Sequence, residues 1–238
     1  MRNVYTVARR ELAAYFYSPI AYFVIVIFLL ISGYMFFTEI TIGTPQAEMR
    51  PFFGLAPLLF CIFGPPITMG LFSEERATGT LEMLLALPLT DWQVVLGKFL
   101  AAVALVAVML GFTLPYAWFI HHYSAGLDWG PVIGGYLGLL LMASGYLAVG
   151  VMTSVWTKKQ VTAWVIGFLI CFALFLFGKL LQVLPLWLSP VVQALSFDFH
   201  FQNIARGVID FRDLLYYGSL IGICLLVAQT SLESRRWR

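Results

Sequence analysis

The side chains of this chain that could do chemistry are concentrated in the stretch Ser73–Trp92, which reads SEERATGTLEMLLALPLTDW. Glu74, Glu75 and Arg76 open it, and Glu82 follows within a leucine-rich part. Such carboxylate and guanidinium groups can form ion pairs with another surface. The stretch separates two long apolar runs and is longer and more patterned than a plain hairpin between them. We therefore predict that it contacts something, and the residues alone fit equally a helix that docks on a partner and a hairpin whose leucines pack against the bilayer.

A site for ATP hydrolysis would require a phosphate-binding loop of the form G-x-x-x-x-G-K-[ST]. The Gly-Lys pairs at 97–98 and 178–179 are followed by Phe99 and Leu180, and both lack the upstream glycine. Ser144 has no G-x-S-x-G pattern around it and no well-placed histidine. We predict that the chain is not an enzyme and binds no cofactor itself, so its energy comes from a separate nucleotide-binding protein or from an ion gradient.

Metal binding is disfavoured by the positions of the histidines and cysteines. His121, His122 and Asp128 are the best candidates, but adjacent histidines point in different directions on a helix and no further ligands follow nearby. A solvated loop is the favoured interpretation. The three cysteines lie inside apolar runs without metal-ligand spacing, so neither a disulfide framework nor a zinc site is indicated.

The elements that position these groups are membrane helices. The chain is 61% hydrophobic and 11% charged, whereas soluble domains are about 45–50% apolar and about 25% charged. A membrane helix needs about 20 apolar residues. Six segments of a single transmembrane domain (1–238) qualify, namely 20–38, 53–72, 93–120, 132–156, 161–184 and 214–230. The third is long enough to tilt or protrude, and Pro57, Pro65 and Pro66 should kink the second.

The lysines and arginines give the orientation, because cytoplasmic segments carry an excess of them. With the N-terminus inside, ten lie on the cytoplasmic side and four outside. The inner set is Arg2, Arg9, Arg10, Arg76, Lys98, Lys158, Lys159, Arg235, Arg236 and Arg238, and the outer set is Arg50, Lys179, Arg206 and Arg212. Both termini and the stretch 73–92 are therefore predicted to be cytoplasmic. Lys98 and Lys179 lie near the span ends, where both can snorkel. The net charge of +2 does not indicate nucleic-acid binding.

Two further segments have amphipathic patterns. Residues 2–16 place Val4, Val7 and Leu12 on one face, which predicts an interfacial helix in the headgroup plane. Its charged residues are Arg2, Arg9, Arg10 and Glu11. The alternative is a segment whose basic residues only set the topology. Residues 185–213 are too apolar for a free loop and too short to span, so we predict short re-entrant helices in the outer leaflet. In their second half, Phe201, Ile204, Ala205 and Val208 repeat at helical spacing.

Local signals divide the stretch 73–92 into parts. Ser73 can cap a helix that begins at Glu74, and Thr80 can cap a second helix after a break at Gly79. Leu81, Leu84 and Leu85 make the second helix amphipathic, and Pro88 stops it. Thr90 and Gln93 have the spacing of a capping box for the third span. In the fourth span, small residues favour close helix packing; they are Gly134, Gly135, Gly138, Ala143, Gly145 and Gly150.

The sequence EERATGTLEMLLALPLTDWQVVLGK (74–98) resembles the signature of ABC-2-type transporter permeases, with charged residues before Gly-Thr and a leucine-rich turn that ends in proline. Three more stretches resemble the gliding-motility-associated branch of that family. They are RRELAAYFYSPIAY, DWGPVIGGYLGLLL and FQNIARGVIDFRDLLYY. Together they cover nearly the whole chain, in the order of the six spans.

This resemblance implies an all-α integral membrane protein with the ABC-2 (type V exporter-like) permease fold. Residues 2–16 correspond to the connecting helix, 73–92 to the cytoplasmic coupling loop with 74–87 docking on the ATPase, 154–160 to a second contact and 186–209 to re-entrant outer helices. The implied ATPase-contact residues are Glu74, Glu75, Arg76, Leu81, Glu82, Leu84, Leu85, Lys158 and Lys159.

The implied function is a permease subunit of an ABC transporter in the bacterial inner membrane, acting as an exporter. ATP and Mg²⁺ would be bound by a partner ATP-binding subunit. A second permease subunit, identical or related, would join through the first and fifth spans, and a membrane protein with a large periplasmic domain is a further expected partner. The alternatives are a non-transport scaffold or regulatory subunit of a cell-envelope machine, and an ion-coupled carrier, which the absence of a mid-span carboxylate disfavours.

Overall fold

The computed structural model describes residues 2–42, 49–85, 88–123, 128–180, 193, 196–208 and 210–236. In these ranges the regular secondary structure is entirely helical. The helices are α1 (Arg2–Tyr17), α2 (Pro19–Ile42), α3 (Arg50–Thr68), α4 (Gly70–Thr78), α5 (Thr80–Leu85), α6 (Asp91–Gly111), α7 (Leu114–Tyr123), α8 (Trp129–Trp156), α9 (Gln160–Leu180), α10 (Phe197–Ala205) and α11 (Phe211–Arg236).

Six stretches of the described chain are long and apolar enough to cross a membrane, which confirms the predicted all-α membrane fold. We number these spans 1 to 6 in chain order. They are Pro19–Thr38, Arg50–Thr78, Asp91–His122, Trp129–Trp156, Gln160–Lys179 and Phe211–Ser234.

Span 2 is longer than the segment 53–72 that the sequence indicates. It continues through α4 to Thr78, so Ser73 lies inside a helix and does not cap one. The helix ends at Gly79, whose φ of 74° is left-handed and favours glycine. The charged residues Glu74, Glu75 and Arg76 therefore stand on a helical extension of the span, and the prediction of a new helix starting at Glu74 is wrong.

Span 3 begins with the predicted capping box. Thr90 Oγ1 accepts from the Gln93 backbone N–H, and the Gln93 side chain accepts from the Thr90 backbone N–H, both at 3.4 Å. At its other end the span divides into α6 and α7, with Phe112 and Thr113 between them. Pro115 explains this division, because it has no N–H to donate to the carbonyl four residues earlier.

Span 4 is the centre of the bundle. In its apolar stretch of 18 residues, 72% is buried within the chain, against 22% in the corresponding stretch of span 5 and of span 6. Its glycines admit neighbouring helices closely. A Cβ on Gly134 would lie 2.6 Å from the Ile204 carbonyl oxygen, and one on Gly145 would lie 2.9 Å from the Phe197 ring. The prediction that small residues permit close packing is confirmed at these positions.

α10 covers the other end of the bundle from α4. Ser196 caps it by accepting from the Phe199 N–H at 3.1 Å, and Phe201 and Ile204 are buried. Val208 lies beyond the end of the helix and is 64% exposed, so its predicted place in the helical repeat is wrong. The first half of the predicted re-entrant segment, 185–192, lies outside the described residues.

An ion pair and a contact between a histidine and a carboxylate join α10 to its neighbours. Lys179 at the end of span 5 lies 3.3 Å from Asp198, and Lys179 remains half-exposed, consistent with a position near the membrane surface. His200 Nδ1 lies 2.6 Å from Asp213 Oδ1 at the start of span 6, where Asp213 is buried. The helix α10 is thus attached to both peripheral spans.

Candidate functional site at the break in span 2

The backbone hydrogen-bond pattern of span 2 is interrupted at Met69, between α3 and α4, although Met69 itself keeps helical dihedral angles; we call this interruption the break. Pro65 and Pro66 lie one turn before the break and lack the N–H groups that would bond to the carbonyls of residues 61 and 62. After the break, the backbone N–H groups of Phe72 and Ser73 donate to Ser154 Oγ of span 4, at 3.0 and 3.2 Å. A side chain from another span therefore takes part in the hydrogen bonding of this helix.

Ser154 also donates a hydrogen bond at the break. Its hydroxyl donates to the Met69 carbonyl oxygen at 2.8 Å, and the Ser73 hydroxyl contacts the same carbonyl. A hydroxyl offers one donor and two acceptor sites, so Ser154, which is fully buried, uses its whole capacity on the backbone of span 2. No sequence signal distinguishes this serine, since it lies in a helix of small residues and its partners are backbone groups.

Replacement of Ser154 by alanine is expected to lower the free energy of unfolding by about 1 kcal/mol. Hydrogen bonds between membrane helices average about 0.6 kcal/mol and reach about 1.7, and this hydroxyl serves three backbone groups. Unfolding titrations in sodium dodecyl sulfate would measure the change. The control is Ser219→Ala in span 6, which removes an exposed hydroxyl that donates to Tyr216 O at 2.9 Å; an equal loss in both variants would contradict the role of Ser154.

A buried cluster of charges joins α4 to span 3 and to α1. Lys98 Nζ lies 2.8 Å from Glu75 Oε1 and 3.3 Å from Glu11 Oε1, and the lysine side chain is 1% exposed. The ammonium group also lies 5.2 Å from the centre of the Phe72 ring. The prediction that Lys98 snorkels to the surface is wrong, because two carboxylates satisfy it inside the protein. We call Lys98, Glu75 and Glu11 the lysine cluster.

Arg76 joins α4 to the end of span 4. Its Nη1 donates to the Trp156 carbonyl at 3.2 Å and lies 3.5 Å from the Val155 carbonyl. These are among the last carbonyls of α8, which have no partner within their own helix, and a cation is favourable at that end of the helix dipole. α4 is thereby fixed to α1, span 3 and span 4 at once.

α1, which the sequence predicts to be an interfacial helix, is packed against the rest of the protein. Val7 is buried, and its Cγ1 lies 2.6 Å from where a Cβ on Gly97 would be. Tyr15 donates to the Ile67 carbonyl, just before the break in span 2, at 2.6 Å. Burial, and then repulsion from Glu11, raise the pKa of Tyr15 well above its ordinary value, so the hydroxyl keeps its proton and remains a donor.

The predicted contact residues divide into two groups in the structure. Glu75 and Arg76 are occupied by contacts within the chain, and Leu81 and Leu84 are buried in the core. The exposed group is Glu74, Glu82, Lys158 and Lys159. On α1, Arg9 and Arg10 are exposed and Arg10 pairs with Glu11 at 2.7 Å. The side chains of Arg2 and Leu85 lie outside the described residues.

Sequence reasoning did not identify the internal partners Lys98, Ser154 and Tyr15. Lys98 alone gave a signal, because a lysine inside an apolar run requires a partner or a path to the surface. The arrangement is a junction in which hydrogen bonds and ion pairs connect α4 to α1 and to spans 3 and 4. Among the described residues, no group of three or more histidines, cysteines or carboxylates could hold a metal ion.

Comparison with known proteins agrees with this architecture. The family described as ABC-2 family transporter protein matches residues 5–225. This range includes the lysine cluster, the break in span 2, the whole of spans 1 to 5 and most of span 6. No curated protein matches the chain. Members of this family are membrane components that work with an ATP-binding subunit. The chain thus belongs to the ABC-2 transporter family and is a multi-pass membrane permease subunit of an ABC transporter.

Proposed function

We propose that this permease subunit is part of an exporter and that α4 and α5 receive the movement of the separate ATP-binding subunit. The observation that carries the proposal is the attachment of α4 to three other elements, through Glu75, Arg76 and Ser154. Force applied at α4 reaches α1 and spans 3 and 4 without passing through a flexible loop. ATP and Mg²⁺ are bound by the partner in this scheme, and this chain binds no cofactor.

The surface offered to the partner consists of the exposed charges near this junction. Glu74 and Glu82 are exposed, and Lys158 and Lys159 follow the end of span 4, whose last carbonyl Arg76 holds. The two predicted contacts, 74–87 and 154–160, are therefore joined by a hydrogen bond. Both carry charge in a position where it can specify a partner.

The remaining parts of the proposal concern the assembly. The excess of lysine and arginine at one end supports cytoplasmic termini in a bacterial inner membrane. Span 5 is peripheral, because only 22% of its apolar 18-residue stretch is buried within the chain, and span 1 is also peripheral, at 39%. Their exposed faces leave room for a second permease subunit. The gliding-motility branch, a partner with a large periplasmic domain and a cell-envelope substrate rest on the sequence resemblance alone.

The double charge reversal Glu74→Arg with Glu82→Arg is expected to reduce retention of the ATP-binding subunit at least about tenfold. Two reversed rim charges change association rates and affinity, and a tenfold change corresponds to about 1.4 kcal/mol. The tagged chain would be purified from its native membranes, with the ATP-binding subunit identified by mass spectrometry and ATP hydrolysis measured. Both carboxylates are exposed, so the fold should be unaffected.

Glu233→Arg provides the matched control, since Glu233 is an exposed carboxylate on α11 that only accepts from Gln229, at 3.0 Å. Full retention of the ATP-binding subunit and full ATP hydrolysis in the double variant would contradict the coupling role of α4 and α5. Equal loss of the ATP-binding subunit in Glu233→Arg would show a general effect of charge on the protein. A complex that never contains an ATP-binding subunit would favour the scaffold alternative.

A further inference from the structure

We propose that the groove between α1 and α6 binds one anionic phospholipid taken from the bilayer. The groove encloses a cavity of about 560 Å³, within the range of about 300–1,000 Å³ that small-molecule sites occupy. Leu96, Leu100 and Ala104 of α6 form its floor, and Tyr5, Arg9 and Leu12 of α1 form its wall. The proposal is independent of the proposed function, because it concerns neither the ATP-binding subunit nor the transported substrate.

The floor of the groove suits an acyl chain. Its three residues recur every four positions, so they lie along one side of α6 over roughly 12 Å. They belong to the apolar helix of span 3, and Leu100 is 45% exposed. The helices touch where Val7 meets Gly97, and Ala8 and Leu12, further along α1, line the groove together with the floor residues. An apolar surface of this kind in a membrane is covered by lipid.

The wall of the groove suits a negatively charged headgroup. Arg9 is the charged residue among the groove-lining residues that the structure describes, and it forms no ion pair or hydrogen bond within the described chain. Its neighbour Arg10 instead pairs with Glu11 at 2.7 Å. Tyr5 is 69% exposed beside Arg9, and tyrosine favours the headgroup level of a membrane.

The charge of the lining selects between classes of phospholipid. Arg9 can hold a phosphate, since basic pockets between membrane helices bind anionic headgroups. The ammonium group of a zwitterionic lipid would need a carboxylate or an aromatic cage, and the described lining contains no carboxylate. An anionic lipid therefore fits better, with its phosphate at Arg9 and one acyl chain on the floor.

Native mass spectrometry of the full-length chain, with phosphatidylglycerol or phosphatidylcholine of the same acyl chains as probes, tests the proposal. Phosphatidylglycerol should bind at least about fivefold more tightly, the effect of one basic residue at an anionic membrane surface. Arg9→Gln should abolish this preference. Arg10→Gln removes the same charge from the adjacent residue outside the groove, and it should retain the preference.

A second variant tests the apolar floor without a change of charge. Ala104→Trp fills the groove and should reduce retention of both lipids at least about fivefold, with folding checked by gel filtration and helical circular dichroism. If this variant does not fold, the comparison of Arg9→Gln with Arg10→Gln decides the question alone. Lipid retention needs no nucleotide, so its result is separate from that of the coupling experiment.

Three results would overturn the proposal. Equal affinity for phosphatidylglycerol and phosphatidylcholine would contradict the selectivity for an anionic headgroup. Equal loss in Arg9→Gln and Arg10→Gln would show only the general attraction of a basic helix to an anionic surface. Efficient disulfide formation between two copies carrying Leu100→Cys, in membranes, would show that a second copy of the chain covers the groove.

Discussion

Lys98→Met is expected to lower the free energy of unfolding by about 3 kcal/mol, the low end of the range for breaking a buried ion pair by removing one partner. The substitution removes the cation of Glu75 and leaves Glu75 near Glu11, which keeps its pair with Arg10. Their side chains keep 21% and 14% exposure, which moderates the cost. Because the lysine cluster joins α1, α4 and span 3, the same change should also uncouple ATP hydrolysis from transport.

The measurement is a detergent unfolding titration combined with ATP hydrolysis by the purified complex. Lys98→Met with Glu75→Gln should recover part of the loss, since one unpaired charge is then removed, and the cycle gives the coupling energy of the pair. Lys159→Met, at an exposed lysine, should change stability by no more than about 0.5 kcal/mol. Additive effects of the Lys98 and Glu75 substitutions would contradict the pairing.

Gly150→Ala is expected to cost about 2–3 kcal/mol, the upper part of the range for overpacking a core. The added methyl group would overlap Thr68 Oγ1 and come 3.0 Å from Thr68 Cβ. Thr68 is fully buried, and its hydroxyl bonds to the carbonyls of Gly64 and Pro65 beside the break in span 2. Spans 2 and 4 must therefore separate, which also weakens the contacts of Ser154.

A paired substitution tests this explanation by the same unfolding titration. Thr68→Ala with Gly150→Ala removes the overlapping oxygen and should be more stable than Gly150→Ala alone. Gly54→Ala is the matched control in α3, since nothing lies within 4 Å of its added Cβ. It should be neutral or stabilising by up to about 1 kcal/mol, because alanine favours helix. Equal destabilisation by Gly54→Ala would contradict the steric account.

Features encoded by neighbouring residues were predictable from the sequence. The capping box of Thr90 and Gln93 depends on residues three positions apart, and its pattern gave the start of span 3. The glycines of span 4 likewise predicted close packing. The six spans follow from length and apolar composition, which the membrane itself imposes.

The predictions that were wrong concern contacts between distant residues. Serine is a residue type that favours N-cap positions, so Ser73 was expected to start a helix. Instead, the hydroxyl of Ser154, 81 positions away, accepts a hydrogen bond from the Ser73 N–H, and the helix continues. Lys98 was expected at the surface because its partners, Glu75 and Glu11, lie 23 and 87 positions away in sequence. Val208 continues an apolar repeat, yet the helix has already ended before Gly207, whose φ is 85°.

The break at Met69 also makes the backbone of span 2 depend on another span. In hydrocarbon no water is present to replace a lost backbone hydrogen bond. Here the Phe72 and Ser73 N–H groups bond to a hydroxyl of span 4, which is held in turn by its own hydrogen bond to the Met69 carbonyl. A sideways displacement of span 4 would therefore strain the backbone hydrogen bonds of the helix that carries Glu74.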